Sequence, residues 1–373
     1  IRDSLTIDLL KVVAAHLIVW HHLAFYGPMS DHAAALWPQA MEALARHGRL
    51  AVPVFLVLGG YLAARSLAPE GRLVGQGSLW GRLVDRHLRL SVPFAVVVGF
   101  AAAAALLADH LIDHPSIPEV QGVGQVLAHV LLMHDLLGME ALSAGVWYVA
   151  VDFQLYAVLL LIMTLARRGE AQAWNRQCHG PVAVAALGAL ALLVFNRLPE
   201  LDHTPFYFFG AYAMGALVAW WAPDPRRRLL LLGVLAVVAL ALWIDWRERV
   251  LVAAVTAALL VAVHVLPRRA EPESFKGRGL QAVRRWSDRS YALFLLHFPI
   301  FMIVNAVFTR WVSIEPGWQA LGLLATWGLS LLGAAAFHRW VEQPLGRAMR
   351  GLPERLARIA RTGSGSAGRA PTR

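Results

Sequence analysis

Residues 7–26 read IDLLKVVAAHLIVWHHLAFY, and this stretch decides how the rest of the chain is read. It is long and apolar enough to cross a bilayer, yet it carries Asp8, Lys11, His16, His21 and His22. Such groups cost a few kcal/mol at the middle of a membrane unless they face other helices or water. A helix that keeps so many of them is expected to line a site. Lys11 and His22 are separated by about 16 Å along a helix at 1.5 Å per residue, and by only about 20° around its axis. One helix face therefore presents a cation near one end and an imidazole near the other.

The surrounding composition agrees with a membrane protein. The 373 residues are 58% hydrophobic, and mean hydropathy is +0.54. Long apolar runs recur along the whole length, as in one membrane domain rather than a soluble domain with an anchor. The first run exceeds a signal peptide's apolar core, and no small-residue cleavage site follows it. The single cysteine, Cys178, excludes an internal disulfide and a cysteine-based metal site. No metal is expected.

Ten spans are read at about 8–26, 49–67, 91–108, 145–166, 181–195, 205–221, 229–244, 250–266, 289–309 and 318–339. The fold class is therefore all-α and polytopic. The apolar segment Val123–Leu137 is too short for a span and reads as an interfacial or re-entrant helix. With the N-terminus inside, the inner segments hold 24 of the 34 Lys and Arg and the outer loops six. That bias holds at every loop and sets an N-in, C-in orientation. It also explains the net charge of +10 as topology and contact with anionic lipid, and argues against nucleic acid as a partner. Residues 1–345 form the membrane domain. Residues 346–373 are a basic tail, its Gly- and Ser-rich end from Thr362 expected to be disordered. The longest outer loop, Asp109–Ala144, has no Lys or Arg but five carboxylates and four histidines. It is either a solvated loop or a surface that binds an acceptor's hydroxyls.

Four groups could carry chemistry. His22 sits near the outer end of span 1, where an ordinary imidazole pKa of about 6.5 suits a general base; a packing histidine is the plain alternative. The His21–His22 doublet cannot place both rings on one face, since neighbours lie about 100° apart. Asp152 lies about two turns into span 4, at a depth expected to match His22. It either orients that histidine or pairs with a structural arginine. Arg82, Arg86 and Arg89 precede span 3 on the inner side, with Arg86 and Arg89 on one helix face. They suit phosphate groups, or they merely mark the inner face. His297 lies mid-span, two residues before Pro299, which is expected to kink its helix. Trp147, Tyr148, Tyr156 and Tyr291 read as interface or core aromatics.

Taken in order, these stretches resemble the acyltransferase 3 family of integral membrane acyltransferases. Asp8-Leu9-Leu10-Lys11, then ten residues, then His22, is similar to the family's opening Asp-x-Leu-Arg segment and its histidine. Further likenesses are Gly48 through Val54-Phe55 to Gly59-Gly60-Tyr61, then Arg86, Arg89 and Pro93, then Trp147, Asp152 and Tyr156. Ser290, Tyr291, His297 and Pro299 come after these, and Val341, Glu342 and Pro344 close the series. Three positions depart from the family pattern: Lys11 replaces arginine, Asp152 replaces glutamate, and Gly59 replaces serine.

The resemblance implies ten spans and transfer of an acyl group, most often acetyl, from cytoplasmic acyl-CoA to a hydroxyl of a glycan or glycoside. It implies a bacterial cytoplasmic membrane. His22 would act as general base, oriented by Asp152. Lys11, Arg86 and Arg89 would meet the donor. Asp8, Trp147, Tyr156, Tyr291 and His297 would shape the substrate channel. Acyl-CoA would come and go as a substrate, with no permanently bound cofactor. A proton-coupled transporter is the rival from another class, since buried His, Asp and Lys would serve a proton relay equally well. A non-catalytic membrane scaffold is a third reading.

Overall fold

A computed structural model describes residues 2–75, 77–170, 179–221, 225–265 and 277–349. Cys178, parts of three basic segments and the tail from residue 350 lie outside the described residues. In the bilayer interior each backbone N–H and C=O must be satisfied within the protein, which leaves helices or closed barrels. The apolar runs here take the helical solution, and no strand occurs among the described residues.

The helices are α1 (Arg2–Phe25), α2 (Gly27–Ala33), α3 (Pro38–His47), α4 (Ala51–Leu67), α5 (Leu79–Leu111), α6 (Val123–Val130) and α7 (Val146–Glu170). They continue with α8 (His179–Leu193), α9 (Pro205–Ala219), α10 (Pro225–Ile244), α11 (Glu248–Val265), α12 (Arg278–Trp311), α13 (Pro316–Phe337) and α14 (Gln343–Ala348). Eight helical stretches are long and apolar enough to cross a membrane: α1, α3 joined to α4, α5, α7, α8 extended by the turn after it to Arg197, α11, α12, and α13 joined to α14. The expected sixth and seventh spans are shorter apolar helices, α9 and most of α10. The count of ten thus stands as eight full-length helices and two short ones. Gly346–Ala348, assigned to the tail on sequence, continue α14.

Two helices are longer than a hydrocarbon core of about 30 Å requires. At 1.5 Å per residue α5 and α12 each reach about 50 Å. Their N-terminal turns, which hold Arg82–Arg89 and Arg284–Arg289, extend past the apolar zone. Ser78 starts α5 by accepting a hydrogen bond from the Gly81 N–H at 3.0 Å. Both helices run on through an internal proline, Pro93 and Pro299. The helix expected to kink at Pro299 continues past it to Trp311.

Buried side chains form two clusters. One gathers α4, α7, α8, α9, α10 and α11; the other gathers α1, α5, α12 and α13 with the start of α7. Small residues set the closest approach in the first. A Cβ at Gly60 of α4 would lie 2.0 Å from the Tyr212 carbonyl oxygen of α9, and one at Gly215 would lie 1.9 Å from the Val57 carbonyl oxygen. The two helices touch backbone to backbone, as membrane helices do where glycine permits.

Candidate active site

His22 ends the apolar part of α1 and is buried, as is His21. Helical geometry splits the doublet as expected. His21 turns toward α3, where its Nδ1–H donates to the Leu44 carbonyl at 3.1 Å. Gly48 makes this approach possible, since a Cβ there would sit 2.6 Å from the His21 Cβ. His22 turns the other way and meets α12. Its Nδ1 is 2.7 Å from His297 Nε2, with the two ring planes within 8° of parallel and 5.0 Å between centroids, an edge-to-edge arrangement.

The tautomers of this pair are set by one carbonyl. His297 Nδ1 lies 3.2 Å from the Leu293 oxygen, which can only accept. With both rings neutral, Nδ1 of His297 carries the proton, its Nε2 accepts, and His22 donates through its own Nδ1. The lone pair of His22 is then on Nε2. The ring borders a chamber of about 410 Å³ lined by Tyr26, Arg49, Glu140, Ser143, Trp147, Tyr148, Phe294 and Phe298, among others.

Asp152 does not join this pair. Gly145 abuts His22, a Cβ there being 3.5 Å from the His22 Cε1. Asp152 is seven residues further along α7, about 10 Å deeper at 1.5 Å per residue. The expectation of equal depth fails because α7 begins level with His22, inside the bundle, so two turns carry Asp152 well past it. It pairs instead with Arg86, with Oδ2 2.5 Å from a guanidinium nitrogen. Of the two pairings open on sequence, the structure forms the one with arginine. The Arg86 guanidinium also lies 5.2 Å from the centre of the Tyr156 ring, while 34% of its side chain stays open.

The other expected residues make separate contacts. Arg89 turns outward and pairs with Asp85 at 2.9 Å on its own helix, so Arg86 and Arg89 are not a joint clamp in this arrangement. Asp8 accepts from the Ser287 hydroxyl at 2.6 Å, tying α1 to α12 near the end opposite His22. Lys11 is half-buried one turn further along α1. Tyr291 donates to the Leu90 carbonyl at 3.2 Å. Trp147 stacks on Phe208, with centroids 5.5 Å apart, and stands in the wall of the His22 chamber. Between that chamber and Asp152 lie Tyr148, Phe294 and Phe55, in edge or tilted contact at 5.7–6.4 Å.

Two features escape a reading of sequence alone. The first is the scaffold of the loop above His22. Gln125 accepts from the Gln121 N–H and donates to the Glu119 and Glu140 carbonyls. His129 donates to the Gln125 carbonyl at 2.8 Å and accepts from the Leu142 N–H at 3.1 Å. These bonds place Glu140–Gly145 as a chamber wall. His134 stacks on His129 at 4.0 Å, and Asp135 lies 3.5 Å from it. Burial pushes His129 below the usual imidazole range and His134 down to about 3, and lifts the Asp135 carboxyl to about 6. The second is a neighbouring cavity of about 930 Å³ between α4, α9 and α11. A cluster of four histidines in one loop is the only sequence signal for the first, and loop arginines at one end of the bundle for the second.

These features define a helical membrane protein with a paired-imidazole site buried at one end. The chain belongs to the family described as acyltransferase domain (Acyl_transf_3), whose model matches residues 5–337, nearly the whole chain. It is accordingly a membrane acyltransferase by family. No curated protein and no solved structure gives a significant match.

Proposed function

We propose that this protein is an O-acyltransferase that moves an acyl group, acetyl in the simplest case, from cytoplasmic acyl-CoA to a hydroxyl of a surface or exported glycan. The bacterial cytoplasmic membrane is its proposed location, with both termini inside, on the strength of the Lys and Arg bias. The His22–His297 pair is the single observation that carries the reading, because it leaves a basic nitrogen on His22 beside a chamber large enough for a sugar.

In the proposed reaction His22 Nε2 takes the acceptor's hydroxyl proton as its oxygen attacks the thioester carbonyl. The C–O bond forms, the C–S bond breaks, and the CoA sulfur leaves with the proton that His22 returns. His297 holds His22 in the required tautomer and shares the positive charge while it lasts. No carboxylate among the described residues pairs with either ring, so this role falls to a neutral imidazole. The donor approaches from the α5 N-terminal end. Its phosphates meet the open edge of Arg86, and Arg89 once it leaves Asp85, with Lys11 on α1. The thioester arm passes Asp8, Tyr156 and Tyr291, and then Tyr148 and Phe294, the aromatic floor of the chamber. The family match does not favour the transporter alternative.

Labelled acetyl-CoA supplied to membranes containing the protein tests this. Acceptor-dependent release of free CoA and label in the glycan are expected. Intact transport of a solute with no such release would overturn the reading. Mass analysis of surface glycans with and without the protein names the acceptor.

A further inference from the structure

The cavity of about 930 Å³ shares Arg49, Val52, Ala141 and Trp147 with the wall of the His22 chamber. Acyl transfer at His22 leaves this larger cavity without a role, and the role assigned to it below rests on that proposed function. Two observations bear on its occupant. The loops at the His22 end hold only six of the 34 Lys and Arg, and four of those six, Arg46, Arg49, Arg247 and Arg249, line this one cavity. Orientation bias strips basic residues from the translocated side, so gathering the survivors in one place needs another reason.

The second observation is that this charge is only partly used. Arg247 is buried and pairs with Asp245 at 3.3 Å and with the Asn196 side chain at 2.8 Å. Arg249 lies over the Tyr207 ring, donates to the Asn196 carbonyl, and has a buried Nε with no partner. Among the described residues no carboxylate lies within ion-pair distance of Arg49 or Arg249. The cavity's own acids are Asp135, Asp202 and Glu248, and Glu248 is met by His47 at 3.3 Å. Trp147 and Trp246 add flat apolar faces suited to a sugar ring.

We propose that this cavity is the acceptor site and takes a saccharide bearing an anionic group, bound by Arg49 at the shared wall while the ring rests on Trp147. A hydroxyl of the same or the next sugar then enters the His22 chamber. Guanidinium recognises carboxylate or phosphate by paired N–H donors, so both anions fall within the proposal.

The test is equilibrium binding to the full chain in nanodiscs, without donor, of methyl β-glucuronide, methyl β-glucoside 6-phosphate and neutral methyl β-glucoside. At least one acidic glycoside is expected to bind about tenfold tighter than the neutral one, the yield of one charge-assisted hydrogen bond. Arg49→Gln brings the ratio close to one, and Arg49→Lys, which keeps the charge, retains most of it. Equal affinities, no measurable binding of either acidic glycoside, or a ratio indifferent to Arg49→Gln overturns the proposal. Because no donor is present, the two claims separate. Arg49-dependent binding without acyl transfer keeps this site and removes the role given to His22. Acyl transfer that treats neutral and acidic glycosides alike does the reverse.

Discussion

His22 Nδ1 and His297 Nε2 meet at 2.7 Å although 275 residues separate them in sequence. The Leu293 carbonyl, one helical turn from His297, sets the proton positions of both rings. A backbone oxygen thereby determines which nitrogen of His22 keeps its lone pair, and it does so without a buried charge.

Removing His297 should act through that tautomer. His297→Ala is expected to lower kcat by about 10²-fold, the scale of one acid–base contribution, with the acyl-CoA KM within a fewfold of wild type. His297→Gln can still accept from His22 Nδ1 and should recover part of the loss. Steady-state kinetics on the two variants checks this; equal loss in both would make His297 a packing residue only.

The Asp152–Arg86 pair predicts a stability effect distinct from catalysis. Asp152→Ala leaves a guanidinium unpaired inside the bundle, which costs roughly 3–5 kcal/mol for a fully buried pair. Arg86 is partly open, so a loss of about 2 kcal/mol is expected after screening. Thermal unfolding in detergent should show it, and the Asp152→Ala/Arg86→Met double variant should lose less than the two single changes combined.

Backbone contact between α4 and α9 predicts a sharp contrast among glycines. Gly60→Ala and Gly215→Ala each force apart two helices whose backbones leave no room for a methyl group, and should abolish stable expression. Gly99→Ala meets nothing within 4 Å and should be neutral or stabilising by up to about 1 kcal/mol through helix propensity. Detergent thermal shift on the purified variants separates the cases.

The loop above His22 should weaken in acid. His129 and His134 are held neutral by burial, so their contribution is present above the ordinary pKa of about 6.5. It is lost as pH falls from there toward about 3, the value for His134. Asp135 works in the opposite sense: lifted to about 6, it favours the folded loop at low pH and opposes it as pH rises through that value. The two histidines outweigh it. Protection of the Leu142 amide, which donates to His129, should fall between pH 7 and pH 5 once intrinsic exchange is corrected. A His129→Gln/His134→Leu variant should lose this dependence or reverse it.

Much of the fold is legible in the sequence because a membrane leaves the backbone few choices. The apolar runs become helices, eight stretches long enough to cross a membrane and two, α9 and most of α10, shorter. His22 and Asp152 stand out because a charge or an imidazole in such a run needs a partner. Depth is what sequence does not supply. Counting from the ends of spans matches Asp152 to His22, yet α7 starts inside the bundle, and Arg86 reaches Asp152 instead. Gly59 shows the same limit. Its departure from the family's serine looks isolated in sequence, but a Cβ there would lie 3.1 Å from Asp152 Oδ1. Two of the three departures therefore sit side by side, each removing side-chain length from one spot. The loop scaffold built on Gln125 and His129 is hidden for a different reason: its bonds run to backbone groups, which carry no pattern in sequence.

The central claim is that His22 Nε2 removes the acceptor's proton. The direct measurement is acceptor-dependent release of CoA from labelled acetyl-CoA by His22→Asn, with thermal unfolding confirming that the variant is folded. A fall of about 10²–10⁴-fold at unchanged stability is the expected result. Full activity in the folded variant would contradict the account.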